Sequence, residues 1–200
     1  VETNLPAMKE TQLDMGDFNG DGLMDVLISG TTSSGKITKL LEYSVGQGFV
    51  ESNYDLTDFI DAKFGFGDLD GDNDLDIVVG TLNDNSLSWY ENNGSQSFTK
   101  NSIGTGFASN LPVVIDLDED GDLDMVMRTF EGGEKLRWFE NNGSESFTQN
   151  LIDNSNGGGL KVIDLDEDGD YDVVSADGNN GHVNWFSNNG SESFTKNTID

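Results

Sequence analysis

Apolar residues along this chain fall in short runs, each ended by Asp, Asn, Gly or Ser. Ala62 to Gly67, Pro112 to Ile115 and Leu160 to Ile163 each precede an acidic stretch. Asp76 to Val79, Asp124 to Met127 and Asp172 to Val174 each follow one. These runs are rich in Val, Ile and aromatic residues, which fit a pleated, packed surface, so each reads as a strand. Segments beginning at Trp89, Trp138 and Trp185 read as a third strand. Asn-Asn-Gly then supplies the left-handed turn residues of a hairpin, and Ser-Phe-Thr-Lys/Gln-Asn reads as a fourth. No segment keeps a helical apolar period, so the pattern predicts an all-β protein.

The pattern recurs. Asp17 to Asp25 (DFNGDGLMD), Asp68 to Asp76 (DLDGDNDLD), Asp116 to Asp124 (DLDEDGDLD) and Asp164 to Asp172 (DLDEDGDYD) share one template. A second echo is WYENNGSQSF from Trp89, WFENNGSESF from Trp138 and WFSNNGSESF from Trp185, with a degenerate LLEYSVGQGF from Leu40. Tandem four-stranded units of this length are the signature of β-propeller blades, none of which buries its faces without neighbours. The expected fold is therefore one β-propeller domain, residues 1–200, of four four-stranded antiparallel blades at about 7–56, 61–104, 110–152 and 158–200.

The acidic loops carry the chemistry. Position 1 is Asp17, Asp68, Asp116 and Asp164; position 3 is Asn19, Asp70, Asp118 and Asp166; position 5 is Asp21, Asp72, Asp120 and Asp168. Position 9 is Asp25, Asp76, Asp124 and Asp172. Alternate residues of a tight loop can aim their oxygens at one centre, and Ca²⁺ takes six to eight oxygen ligands. Position 7, which is Leu23, Asp74, Asp122 and Asp170, would add its backbone carbonyl. Position 6 must turn sharply, and it is Gly22, Asn73, Gly121 and Gly169. In the three all-aspartate loops four carboxylates this close repel unless a cation sits among them, and with the first loop in the same register about four Ca²⁺ are expected, one per repeat. Mg²⁺ demands a smaller, stricter octahedron. An EF-hand would need Glu at position 12, where this chain has Ile28, Val79, Met127 and Ser175.

Composition narrows the partners. Cysteine is absent and His182 is the single histidine, which leaves no thiolate site and little basis for zinc. With 38 acidic and 10 basic residues the formal charge is −28, which argues against nucleic acid and anionic membranes. No apolar run reaches the roughly 18 to 20 residues that span a bilayer. The start at Val1 reads as a mature or excised segment.

The template D-x-[DN]-x-D-G-x-x-D, a short Val/Ile strand, then W-[YF]-x-N-N-G-S-x-S-F, resembles the VCBS/FG-GAP repeat family, whose relatives include the propeller domains of integrin α subunits. The resemblance implies a propeller with Ca²⁺ in the loop between strands one and two. It also implies roles in adhesion, carbohydrate binding or as accessory domains of secreted enzymes. Phe64-Gly65 is the surviving Phe-Gly landmark. Relatives close with seven or eight blades, so three arrangements stay open. These are a closed four-blade ring, half of an eight-blade homodimer, or a fragment of a larger propeller.

Two classes of function follow. One is a non-catalytic, calcium-stabilised binding or adhesion module, secreted or on the cell surface, whose partner is an extracellular protein or glycan. The alternative is a lectin-like or accessory domain of a secreted polysaccharide lyase or glycosidase. Trp89, Trp138 and Trp185 suit sugar stacking, yet a Trp at a fixed strand position also suits the core between blades. The loops at 31–36, 81–86, 129–135 and 176–182, with 55–61, 104–112 and 153–159 between blades, differ from unit to unit and mark a candidate binding face. His182, Arg128 and Arg137 are the only chemically unusual positions, and no catalytic set emerges from them.

Overall fold

The computed structural model describes residues 5–199 apart from 55, 57, 58, 60, 84, 96, 107–110, 131, 179 and 192. Parts of five variable loops (55–61, 81–86, 104–112, 129–135, 176–182) lie outside the described residues, as do the expected bounds at 1, 110 and 200.

The described residues form four antiparallel sheets of four strands, each built from consecutive strands. The first holds β1 (Lys9–Gly16), β2 (Asp25–Thr32), β3 (Gly35–Ser44) and β4 (Gly48–Glu51). The second holds β5 (Ala62–Gly67), β6 (Asp76–Thr81), β7 (Ser86–Asn92) and β8 (Phe98–Thr105). The third holds β9 (Val113–Ile115), β10 (Asp124–Thr129), β11 (Lys135–Asn141) and β12 (Phe147–Asp153). The fourth holds β13 (Gly157–Ile163), β14 (Asp172–Asp177), β15 (Val183–Ser187) and β16 (Thr195–Ile199). Consecutive sheets pack face to face in a propeller-like arrangement, through β1 with β5, β5 with β9, and β10 with β13.

The packing explains why second strands read as unbroken apolar runs. Every residue of β6 and of β10 is buried, because each of these sheets is covered on both faces. Ile77 and Val79 face the first sheet, in a cluster with Phe18, Leu27, Leu40, Phe64 and Tyr90. Val78 between them faces the third sheet, in a cluster with Leu87, Trp89, Met125, Met127 and Phe139. Val126, Leu136 and Trp138 pack on Val173 and Phe186 of the fourth sheet. Each junction is thus the meeting of one face from each sheet, which is the interdependence expected of a repeat protein.

The third junction also carries a polar element. Arg128, fully buried, donates from Nε and Nη2 to Ser175 Oγ (3.1 and 2.6 Å) and from Nη1 to the Ser155 carbonyl (2.8 Å). Its charge is faced by Glu134, 3.9 Å away.

The two end faces are different. Leu13 and Met15 of the first sheet and Met24 of its acidic loop are 60%, 44% and 50% exposed, and Ile163 of the fourth sheet and Leu165 of its acidic loop are 50% and 42% exposed. These faces do not cover one another as the closure of a four-blade ring requires. Trp89 and Trp138 are core residues, each 1% exposed. Trp138→Ala is expected to cost about 3–5 kcal/mol of stability, read from denaturant unfolding with calcium held constant. The same change at the half-buried Trp185 is expected to cost markedly less.

Candidate metal centre

Each acidic loop joins the first strand of a sheet to the second, and hydrogen bonds of its own side chains fold it. The position 5 amide donates to position 3 Oδ1: Asp21 to Asn19 (3.0 Å), Asp72 to Asp70 (3.1 Å) and Asp120 to Asp118 (3.3 Å). The position 7 amide donates to position 5 Oδ1 in all four loops, for example Asp74 to Asp72 (2.8 Å) and Asp122 to Asp120 (2.9 Å). The position 6 amide donates to position 1 Oδ2, as in Gly121 to Asp116 (3.1 Å) and Asn73 to Asp68 (2.9 Å). Position 6 is left-handed throughout, with φ of 84°, 74°, 103° and 105° at Gly22, Asn73, Gly121 and Gly169. Position 4 is left-handed as well, at Gly20, Gly71, Glu119 and Glu167, a feature that sequence reasoning missed.

Position 9 ties the loop to the sheet. Asp25, Asp76, Asp124 and Asp172 are fully buried. One oxygen of each accepts the position 2 amide, with Leu69 to Asp76 Oδ2 at 2.8 Å and Leu117 to Asp124 Oδ2 at 3.0 Å. The other accepts an amide from the end of the third strand. Tyr43 donates to Asp25 (2.9 Å), Asn92 to Asp76 (2.8 Å), Asn141 to Asp124 (2.7 Å) and Asn188 to Asp172 (2.9 Å).

The loop folding gathers three of the predicted positions. Ligand oxygens of Asp68, Asp70 and Asp76 lie within 4.8 Å of one another, as do those of Asp116, Asp118 and Asp124 and those of Asp164, Asp166 and Asp172. Positions 5 and 7 are not in these triads. Position 7 side chains point elsewhere: Asp74, Asp122 and Asp170 lie against Gly94, Gly143 and Gly190 of the Asn-Asn-Gly turns, where a Cβ would overlap the carboxylate. In the first loop Asn19 replaces one carboxylate of the triad. Sequence reasoning missed Glu42 there; burial pushes its carboxyl pKa up, followed by the charges of Asp25 and Asp21, and its Oε1 is buried without a partner.

Electrostatics define what these clusters need. Burial pushes Asp76 and Asp124 up to about 7 even though two amides on each favour the ionised form. Asp70 and Asp118 are also raised, by burial first and then by neighbouring carboxylates. Asp116 Oδ1 and Asp164 Oδ1 are buried without any hydrogen-bond partner. Each triad therefore has hard oxygen donors, repelling negative charge and, in two loops, an unsatisfied buried oxygen. A divalent cation ligated by positions 1, 3 and 9 would answer all three, and the all-oxygen donor set is of the kind that Ca²⁺ takes.

A second finding joins neighbouring loops. The first Asn of each Asn-Asn-Gly turn is buried and reaches into the preceding repeat. Asn92 Nδ2 donates to the Phe18 carbonyl (2.9 Å) and to its own loop at Leu75 (3.2 Å). Asn141 donates to Leu69 (2.8 Å) and Leu123 (3.2 Å), and Asn188 to Leu117 (3.3 Å) and Tyr171 (3.2 Å). Each Asn thereby clasps position 2 of one loop to position 8 of the next.

Comparison with known families agrees with the repeat pattern. The FG-GAP-like repeat family model matches three overlapping stretches, residues 17–79, 68–127 and 116–174. The chain belongs to the FG-GAP-like repeat family. Each match runs from position 1 of one loop to the strand after the next, so it holds the two loop positions that are clasped, and the clasping Asn lies beyond its end. No curated protein matches the chain by sequence. Among solved structures it is similar to an Agrocybe aegerita lectin described as recognising non-reducing terminal N-acetylglucosamine. Identity is 17%, the alignment covers 94% of this chain and 65% of the lectin chain, and the TM-score is 0.46.

Two outcomes are expected. Asn141→Ala strips the donor from a buried carbonyl and from a half-buried one and should cost about 1–3 kcal/mol, against about 0.5 kcal/mol or less for the exposed Asn142→Ala, both read from unfolding curves. For pH, the folded pKa of Asp76 and Asp124 is raised above an unfolded value near 4, so the metal-free fold binds more protons than the unfolded chain between roughly pH 4 and 7. Stability of the metal-free protein is therefore expected to fall as pH rises through that window and to level off above it. Melting temperatures of the dialysed protein at pH 5, 6, 7 and 8 check this.

Proposed function

We propose that this chain is a calcium-stapled, non-catalytic binding module that works in a secreted or cell-surface setting. The observation that carries the reading is the set of three carboxylate triads, with buried, unpartnered oxygens on Asp116 and Asp164. Those triads would hold the ions, with positions 5 and the position 7 carbonyls as further oxygen donors and with Asp17, Asn19, Asp25 and Glu42 at the first loop. Calcium there neutralises charge that a chain of formal charge −28 must otherwise confine, and rigidifies the loops that join the sheets. Millimolar extracellular calcium saturates even weak sites, which favours the extracellular setting. The triad carboxylates are occupied by loop amides and by this ligation, so they are scaffold and not general acids or bases. His182 is exposed in a loop.

The ligand we favour is a glycan. Between the second and third sheets a cleft of about 300 Å³ is lined by the edge of Trp89 with Asn101, Ser102, Ile103, Glu145, Ser146 and Phe147. Amide, hydroxyl and carboxylate groups around a small apolar floor suit a sugar, whereas a protein loop would want a larger apolar surface.

Calorimetric titration of the dialysed protein is expected to give about four Ca²⁺ per chain. A site filled at a hundredfold excess over its Kd contributes about 2.7 kcal/mol, so chelation should lower the melting temperature by more than about ten degrees. An unchanged melt in EDTA overturns the staple. A glycan array probed with and without calcium tests the ligand: binding to sugars in calcium supports the glycan reading, and a blank array overturns it while leaving the staple intact.

A further inference from the structure

The first strands of the sheets, with the chain just ahead of β9, line a second cavity of about 470 Å³, built from residues a few positions ahead of the acidic loops. Gln12 of β1, Lys63 of β5, Leu111 ahead of β9 and Gly158 to Lys161 of β13 line it. The composition runs against the rest of the molecule. In a chain with 38 acidic and 10 basic residues, this lining has two lysines and no carboxylate.

The polar side chains present donors. Lys63 Nζ donates to Gln12 Oε1 at 2.8 Å, which uses one ammonium N–H and occupies the only acceptor among the lining side chains. Two N–H groups of Lys63, the NH₂ of Gln12 and the ammonium of Lys161 then remain to face a ligand. The backbone adds to this. β13 is an edge strand of its sheet, so one row of its amides is not engaged by a neighbouring strand. Its ladder with β14 breaks register between Gly157 and Leu160, and Gly158 and Gly159 in the break have no side chains to shield the main chain. The overall charge does not cancel this local excess of donors, because the Debye length at physiological salt is about 8 Å.

We propose that this cavity binds the carboxylate of a small acidic ligand, with Lys63 and Lys161 as charge partners and Gln12 and the β13 glycine amides as neutral donors. The carboxylate belongs either to an acidic sugar residue or to a free small organic acid. Lysine ammonium groups bonded to a carboxylate give the stronger, charge-assisted class of hydrogen bond, and a neutral sugar has nothing to offer them. The site shares no residue with the inter-sheet cleft or with the acidic loops, and its success or failure is read separately from theirs.

The test is an amide-resolved NMR titration of the full, calcium-loaded chain with sodium glucuronate, sodium acetate and glucose at fixed ionic strength. Glucuronate and acetate are expected to shift the amides of Gly158, Gly159 and Lys161 saturably, with glucose silent. Lys63→Gln/Lys161→Gln should weaken binding about tenfold or more, the loss of one to two charge-assisted bonds. Lys161→Gln alone, at an exposed position, is the second variant if the double change disturbs the fold. Glucuronate binding tenfold or more tighter than acetate assigns the acidic sugar, and parity assigns the free acid. Absence of saturable shifts, an equal response to glucose, or unaltered affinity in the variants overturns the site.

Discussion

The buried position 9 carboxylate is the interaction on which the rest of the architecture depends. Asp76 has no exposed surface, yet its two oxygens join the second residue of its loop to the end of the third strand. One side chain thereby fixes the turn between strands one and two and the approach of strand three. Burying such a group costs several kcal/mol unless charge or hydrogen bonds compensate, and two amides compensate only in part, because its pKa still rises to about 7. The remaining deficit is electrostatic. A cation held by positions 1, 3 and 9 would supply what the protein atoms lack, so that folding and metal occupancy would address the same defect.

That carboxylate also couples the repeats. The amide of Asn141 engages Asp124 within its own sheet, while its side chain engages the Leu69 carbonyl of the preceding loop. A single residue therefore reports the state of two loops. The position 2 side chains show how far a following sheet contributes: Phe18, Leu69 and Leu117 are 1%, 3% and 1% exposed, whereas Leu165, with no following sheet against it, is 42% exposed. The first repeat departs from the scheme, with Tyr43 where the others have Asn, and the Tyr54 hydroxyl donates to the Phe18 carbonyl (3.2 Å) beside Asn92. Burial, with the neighbouring carboxylates behind it, pushes that hydroxyl pKa up to about 12, so it stays a donor at any physiological pH.

The strands and acidic loops were legible in the sequence because both are local and repeated. The run Ala62 to Gly67 is β5 residue for residue, and the D-x-D spacing encodes the amide-to-carboxylate bonds that fold each loop. The clasp was not legible. Asn-Asn-Gly is explained completely by turn chemistry, and nothing local shows that its first amide serves a carbonyl 71 to 74 residues away. The roles of Trp89 and Trp138 stayed open for a similar reason, since an indole on a strand suits a sugar or a neighbouring sheet equally until the neighbour is in place. Glu42 escaped notice because its partners in charge, Asp21 and Asp25, lie in another element of the first repeat.

Non-local residues also explain the separation of charge in the molecule. The acidic loops sit at one end of each sheet, where strand one meets strand two, and negative charge accumulates there because each loop must satisfy its own amides with carboxylates. The innermost strands carry no such duty, and Gln12, Lys63 and Lys161 come from three different repeats to line one cavity. No motif spans them, and no single repeat contains the set. Repetition therefore built the scaffold, and the surfaces peculiar to this chain arise where the repeats differ. This is why the chain's scaffold reads clearly from its sequence and its cavities do not.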